Sequence, residues 1–410
     1  MSPTVDPIVK NTATDQTNQS LEGRDRADNP RLGAGRKTIL VFSAELLPAS
    51  QTFVRDHVQN FRDFDAVLLG VRKVDGLALD GISTAVLPPS RVRRAVLWVF
   101  GLSPFLDRIV LNRDVVAIHA HFADAGMRIA RYARRRHLPL IVTLHGADVL
   151  RRRKDSIIAG IFYGYLRREM LRSTTLFLAV SDFIKQAALR AGYPSNRIRR
   201  QALGIPLPEN PPRTAGHPGR PVPNILFVGR LVEKKGLTYL LQACKRLAED
   251  DCRFTLTIIG DGQLAAELRQ EAEGIQTTVR FLGARTASQV WEELNTADIF
   301  CMPSTEAADG DNEGLPIVCL EAQAAGIPVV AFAQGPVPEG VVEDTTAILA
   351  PDKSAEGLAD ALRTLLADPA LRSRMGAAGQ SFVRNNFDIR DRSRELDEIY
   401  RLATAGELQG

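Results

Sequence analysis

Along the chain, short apolar runs rich in Val, Ile and Leu alternate with longer stretches whose apolar residues recur every three or four positions. The first pattern predicts strands buried on both faces, the second amphipathic helices packed against them. In the first half the runs are Thr38–Ser43, Ala66–Val71, Thr84–Leu87, Val115–Phe122, Pro139–Leu144, Leu176–Val180 and Arg197–Gln201. Helices are expected between them, at about Phe53–Phe61 capped by Ser50 or Thr52, Val92–Asn112, Ala125–Arg136 capped by Asp124, Ser156–Arg172, and from the pair Ser181-Asp182 to near Gly192. The second half repeats the alternation with strands Asn224–Val228, Phe254–Ile259, Val279–Gly283, Asp298–Met302, Ile327–Phe332 and Ala347–Leu349. Its helices are expected to end near Ala248 and Asn295 and to start near Leu315, Ala355, Pro369 and Asp391. Such alternation argues for an α/β protein with doubly wound parallel sheets.

Two stretches break the pattern. Pro206–Pro223 holds seven prolines and two glycines, the composition of a linker. Residues 1–35 are polar, without the apolar segment of a secretory signal, and read as a disordered arm. The chain therefore divides into an arm (1–35), a first α/β domain (36–205), a hinge (206–222), a second α/β domain (223–386) and a C-terminal helix (387–410).

Composition adds little to this frame, but charge adds something. A 410-residue chain that is 45% hydrophobic and 24% charged is an ordinary globular protein, and no apolar run approaches the ~20 residues of a membrane span. Cys244, Cys252, Cys301 and Cys319 form no C-x-x-C pair, so reduced structural thiols are expected, and zinc is not. Residues 36–205 hold 28 Lys and Arg against 13 Asp and Glu, a net +15; the rest of a chain of net +4 thus carries −11. Clusters such as Arg91–Arg94, Arg134–Arg136 and Arg151–Lys154 suit phosphates, nucleic acid or an anionic membrane face.

Candidate chemistry lies at strand ends. Val115–Phe122 ends in His119-Ala120-His121, two histidines on one side of a strand. The next strand ends in His145-Gly146-Ala147-Asp148; from sequence His145 is expected to titrate near neutrality as imidazoles ordinarily do, and Gly146 permits close backbone approach. In the second half, Gly229-Arg230-Leu231 and Lys235-Gly236 follow a strand, a setting suited to a diphosphate, though no Walker A spacing is present. Gly260-Asp261-Gly262 is too short a motif to mark a cofactor site and reads as a tight turn. Glu313-Gly314-Leu315-Pro316 leads an acidic loop into an apolar helix that carries Glu321. Pro is pre-set for a first helical position, and the N–H groups of that helix start would face an anion. Eight residues separate the two glutamates, about two helical turns.

Glu313-Gly314-Leu315-Pro316 with Glu321, Gly229-Arg230-Leu231 with Lys235-Gly236, Ile259–Gly262 and Phe281-Leu282-Gly283 together resemble the group 1 retaining glycosyltransferases of GT-B fold. His119–Phe122, Thr143–Asp148 and Ser50–Phe53 look like the bacterial exopolysaccharide, colanic-acid-type branch. The resemblance implies two Rossmann-like domains facing a central cleft, with the C-terminal helix crossing back to the first. It implies donor-diphosphate binding by Arg230, Lys235, Gly314 and Leu315, sugar binding by Glu313, ribose binding by Glu321, and catalytic places for His145 and Glu313. Ser50, Thr52, His119, His121, Asp148, Gly204 and Gly283 are expected to line the cleft.

The implied activity is transfer of a sugar from a UDP- or GDP-sugar to a glycan or polyprenyl-diphosphate-linked acceptor, without metal or cofactor and without nucleic acid. The expected place is the cytoplasm, peripheral at the inner membrane face. A nucleotide-sugar epimerase of the same fold and a non-catalytic sugar-nucleotide-binding subunit stay open. Two departures stand out: the first loop lacks the family's Gly-Gly, and Glu343–Ala347 lacks its usual Gly.

Overall fold

The computed structural model describes residues 35–46, 51–74, 76–77, 79, 81–151, 157–208 and 222–408. The expected arm up to residue 34, Ser50, and residues 209–221 of the expected hinge lie outside the described residues. From Lys37 the chain is one contact unit containing two sheets.

The first lobe runs β1 (Thr38–Leu46), α1 (Thr52–Gln59), β2 (Asp65–Lys73), β3 (Ser83–Val86), α2 (Arg91–Phe100), α3 (Pro104–Asn112), β4 (Val115–His121), α4 (Ala123–Arg135), β5 (Leu140–Leu144), α5 (Ala147–Leu150), α6 (Ile157–Ser173), β6 (Leu176–Ala179), α7 (Asp182–Arg190) and β7 (Ile198–Arg200). The second runs β8 (Asn224–Val228), α8 (Leu237–Glu249), β9 (Thr255–Ile259), α9 (Ala265–Ala272), β10 (Thr278–Phe281), α10 (Ala287–Leu294), β11 (Ile299–Met302), α11 (Ile317–Ala324), β12 (Val329–Phe332), β13 (Ala347–Ala350), α12 (Ala355–Ala367), α13 (Pro369–Phe387) and α14 (Ile389–Ala405).

Both sheets are parallel, ordered β3-β2-β1-β4-β5-β6-β7 and β10-β9-β8-β11-β12-β13. Each reverses its winding once, between β1 and β4 and between β8 and β11. Ligands in such sheets bind at the carboxyl ends of the strands beside that reversal. The strand sequences explain why helices cover both faces. In β1, Ile39 and Val41 enter one core and Leu40 and Phe42 another, all essentially inaccessible. In β8, Ile225 and Phe227 are likewise separated from Leu226 and Val228. A strand apolar on both sides is satisfied only by two helical layers.

The lobes are tied at a crossing. The Ile205 N–H donates to Phe387 O (2.9 Å) and the Ile389 N–H to Ile205 O (3.0 Å), where α13 breaks into α14 at Asp388. Gly204 is buried here, and a Cβ on it would collide with Ile389. From the crossing α14 lies on the first sheet: Leu396, Ile399, Tyr400 and Ala403 share a core with Ile39 and Val41. Leu315, Leu320 and Ala324 of the second lobe join the core around Leu40 and Phe42.

Several local expectations are corrected. The apolar stretch Val92–Asn112 is two helices meeting at 70°. Gly101 adopts a left-handed φ of 66° that ends α2, and Ser103 caps α3 with Pro104 in its first turn. The helix expected near Leu315 begins at Ile317, because Pro316 (φ −79°, ψ 74°) stands at the N-cap rather than inside the first turn. Neither Thr52 nor Asp124 is a cap: Thr52 opens α1 and Asp124 lies within α4, paired with Arg128 at 2.9 Å. Within Glu343–Ala347, the stretch without the expected Gly, Asp344 takes a left-handed φ of 57°. All four cysteines are free thiols.

Candidate active site

Two loops meet at the reversal between β8 and β11. The first, after β8, holds Arg230, Lys234 and Lys235. Its course depends on glycines nearby: a Cβ on Gly260 would strike Gly229 O, one on Gly262 Leu231 O, and one on Gly236 Pro303 O. Gly260 and Gly262 thus pack one loop under another, the tight-turn role expected of that short motif. The second loop, after β11, holds Asp311 to Leu315, all buried.

The lysines divide the work of holding the loops together. Lys234 Nζ donates to Asp311 Oδ1 (3.1 Å) and Asn312 O (3.0 Å). Lys235 Nζ lies 3.0 Å from Glu313 Oε1. Burial pushes the Glu313 carboxyl up, but Lys235, Lys234 and Arg230 outweigh it and hold the group below its usual range. Glu313 is therefore an ionised acceptor at neutral pH. Arg230 is exposed and its guanidinium has no partner among the described residues.

The first lobe closes against this loop. A Cβ on Gly314 would collide with His145 O, and Gly146, at φ 123°, would put its own Cβ 3.1 Å from Gly314 Cα. Ser181 Oγ donates to Gly314 O (2.7 Å) while accepting the Ile184 N–H (3.2 Å). Below it, Glu339 accepts the Asp182 and Phe183 N–H groups at 2.7 and 2.8 Å. Arg151 and Asp309 add an exposed bridge of 2.7 Å. The Gly314 and Leu315 N–H groups have no acceptor among the described residues, although both residues are buried. Buried donors of that kind ordinarily have partners.

Behind His145 is a histidine stack. His121 Nδ1 and His145 Nε2 share a hydrogen bond of 3.0 Å, and the His119 and His121 rings lie 4.4 Å apart. His119 is 1% exposed. Its Nδ1 meets Tyr400 Oη at 2.6 Å and its Nε2 meets Thr143 Oγ1 at 2.7 Å, so it supports the cleft rather than lining it. Burial drives the pKa of His119 down to about 3 and those of His121 and His145 well below the ordinary value, with neighbouring imidazoles adding to the effect. His57, brought down to about 4 by burial, joins this neutral set. Phe53 and Phe122 flank the His145 ring at 4.7 and 4.4 Å.

Asp148 organises the turn: it accepts N–H groups from Ala123 (2.8 Å), His145 (3.1 Å) and Gly146 (2.9 Å). Burial still raises its carboxyl to about 6. The Glu321 carboxylate has no hydrogen-bond or ion-pair partner among the described residues; burial and the charge of Asp56 push it up to about 7. Thr52 is half-buried at the start of α1. Gly283 lies two residues past the edge strand β10, with its carbonyl accepting the Gly260 N–H and open space at its Cα.

A cavity of about 440 Å³ opens at the carboxyl ends of β1, β2 and β4, lined by Glu45, Arg72, Trp98, Phe122, Asp124 and Arg128 among others. Arg128 stands over the Trp98 ring, and Trp98 Nε1 is buried without an acceptor among the described residues. The sequence reading passed over Arg72, Arg128, Ser181 and Glu339 as site residues. The signals for them are three-dimensional, as is the strain at this strand end, where Phe122, a non-glycine residue, has φ 72°.

Family models described as "Glycosyltransferase Family 4" and "Glycosyl transferases group 1" match residues 52–207 and 218–382. The chain is 32% identical over 291 residues to the amylovoran biosynthesis glycosyltransferase AmsK of Erwinia amylovora, covering 70% of this chain and 69% of that one. It is 32% identical over 250 residues to WcaL of Escherichia coli K12, a protein named for colanic acid biosynthesis, and spans 59% of that relative's length. A GDP-mannose-dependent mannosyltransferase of Corynebacterium glutamicum, acting on a phosphatidylinositol monomannoside, is 38% identical over 39% of this chain and 42% of its own. Among solved structures, Anabaena Alr3699/HepE in complex with UDP superposes with a TM-score of 0.72 at 20% identity, over 88% of this chain and 99% of that one.

Proposed function

The chain belongs to the group 1 glycosyl transferases, and from that premise we propose that it moves a sugar from a nucleotide diphosphate sugar to a glycan or lipid-linked acceptor, in bacterial exopolysaccharide synthesis. The observation that carries this reading is the convergence of Arg230, Lys235 and the unpaired Gly314 and Leu315 N–H groups at one sheet reversal. They offer an anion two cations and two amide donors.

In this account the donor diphosphate lies between Arg230, Lys235 and those amides. Glu313, with Oε1 beside Lys235, turns its other oxygen to hydroxyls of the donor sugar, and Glu321 accepts the ribose hydroxyls. As the bond to the departing phosphate loosens, positive charge grows on the sugar and negative charge on the leaving group. Preorganised donors and cations stabilise the latter without rearrangement. Neutral His145, held by His121, borders the reacting carbon, and the new bond forms with retention. The cavity of the first lobe takes the acceptor sugar, its Trp98 face and its Glu45, Arg72, Asp124 and Arg128 side chains meeting ring and hydroxyls.

The donor base is uridine or guanosine: HepE was solved with UDP-glucose, and the Corynebacterium relative is named for GDP-mannose. A lipid-linked acceptor puts the enzyme at the inner membrane face. No single helix among the described residues is long and apolar enough to cross a membrane. Exposed Val92, Phe100, Leu102, Leu111 and Ile161, set among the arginines of this basic lobe, suit peripheral contact instead. Binding to anionic liposomes at low salt and release at high salt are expected; no binding at low salt removes the membrane part.

A thermal-shift panel of UDP- and GDP-sugars tests the donor part, since a ligand that binds the folded state raises its apparent stability. One nucleotide sugar and its nucleoside diphosphate should both raise the midpoint, and a panel with no response defeats the proposal.

A further inference from the structure

We propose that Ser181, on the acceptor lobe, is a positioning residue for the donor site: it turns the Gly314–Leu315 peptide so that the Leu315 N–H is presented to the donor phosphate only while the lobes are closed. The inference rests on the sugar-transfer reading above. Its ground is a hydrogen bond that crosses between lobes, from Ser181 Oγ to Gly314 O at 2.7 Å, with Ser181 fully buried.

The peptide is trans, so its C=O and N–H point in opposite directions. With the carbonyl fixed on Ser181, the Leu315 N–H is aimed away from α7, and no described residue accepts it. Rotation of this peptide would remove that donor and present a carbonyl oxygen to the phosphate. The same serine caps α7 through the Ile184 N–H, and Glu339 takes the Asp182 and Phe183 N–H groups. The start of α7 thus grips the second lobe at two points 25 residues apart in sequence, Gly314 and Glu339. The cap makes the hydroxyl oxygen an acceptor toward its own helix and leaves its proton for the other lobe. Closure therefore sets the serine in place and, through it, the phosphate donor.

Capping and donation are separable by substitution. Ser181→Thr retains both. Ser181→Asp retains a good cap, but an ionised carboxylate has no proton to give. Ser181→Ala loses both. Melting temperature, affinity for free UDP or GDP, and kcat and KM for the nucleotide sugar identified in the thermal-shift panel are measured for the wild type and all three variants.

The expected result is a kcat lowered about 10- to 100-fold in Ser181→Asp and Ser181→Ala, with nucleoside diphosphate affinity weakened in the same two variants. Ser181→Thr restores kcat and nucleoside diphosphate affinity to within about three-fold and melts within a few degrees of wild type. Wild-type kcat in Ser181→Asp or Ser181→Ala overturns the inference while leaving sugar transfer intact, and so does a Ser181→Thr variant as slow as Ser181→Asp. A wild-type protein that turns over no nucleotide sugar overturns the transfer reading and this inference together.

Discussion

Lys235 Nζ stands 3.0 Å from Glu313 Oε1, joining the two loops that meet at the reversal of the second sheet; only 13% and 10% of these side chains are exposed. The pair is both a stability element and the proposed contact point of phosphate and sugar. Removing one member leaves a largely buried charge, a costly arrangement. Lys235→Met should lower stability by about 2 kcal/mol, cushioned by Lys234 and Arg230 beside Glu313. Glu313→Gln combined with Lys235→Met should cost less than the two single changes together. Urea melts of the four proteins check this, and strict additivity would mean that the pair is not coupled.

Gly314 tests the lobe contact. Alanine there collides with the His145 carbonyl, so the lobes must part or the loop must move. The expected result is a fall of at least ~100-fold in transfer, with both lobes still folded and a larger radius of gyration by X-ray scattering. Gly283→Ala is the contrast. It has a left-handed φ of 69° but open space around it, so it should cost about 1 kcal/mol and leave transfer unchanged. Equal loss of activity in both variants would show that Gly283 does line the cleft.

The proposed ribose role of Glu321 implies a pH dependence of donor binding. Its carboxyl is pushed up to about 7, first by burial and then by the charge of Asp56. Accepting two ribose hydroxyls favours the ionised form, so donor binding should lower this pKa and release a proton below about pH 7. Affinity should then rise with pH up to about 7 and level off above it. Titration calorimetry in two buffers of different ionisation enthalpy measures that proton directly. The absence of proton release at pH 6.5, or its survival in Glu321→Gln, contradicts the ribose role.

His119 gives the fold a different one. Its pKa falls from about 6.5 in the unfolded chain to about 3 in the folded protein, chiefly through burial. Between those values the unfolded chain binds the extra proton, so this residue's contribution is complete above pH 6.5 and is lost as pH falls toward 3. His119→Asn loses the bonds to Tyr400 and Thr143 and is less stable at pH 7. Its deficit should shrink by about 1.4 kcal/mol per pH unit on acidification below 6. Parallel stability curves for the two proteins would refute a neutral buried imidazole.

Much of this was legible along the chain, for definite reasons. Strands such as Thr38–Leu46 and Asn224–Val228 are apolar on both faces, a pattern that parallel sheets impose. That Arg230, Lys235 and Glu313 lie near one another was legible because all three sit on loops that follow strand ends. What escaped is long-range. Ser181 and Gly314 are 133 residues apart, and His119 and Tyr400 are 281 apart. No local pattern distinguishes such a serine from any other helix cap. Asp124 had the cap position by spacing, yet Asp148, arriving from the next turn, took the Ala123 N–H. The break at Gly101 was masked because the apolar residues run through it; its left-handed φ and the close Arg131 backbone set it.

Arg230 offers the most direct test of the central claim, because it is exposed and its replacement leaves no buried group unpaired. The measurement is release of nucleoside diphosphate from the donor found in the thermal-shift panel, with a polyprenyl-diphosphate-linked glycan as acceptor, by wild type and Arg230→Ala. The account predicts acceptor-dependent release by the wild type, a kcat at least ~100-fold lower in Arg230→Ala, and identical melting curves without ligand. Release at the wild-type rate by Arg230→Ala, or no acceptor-dependent release by the wild type, would contradict it.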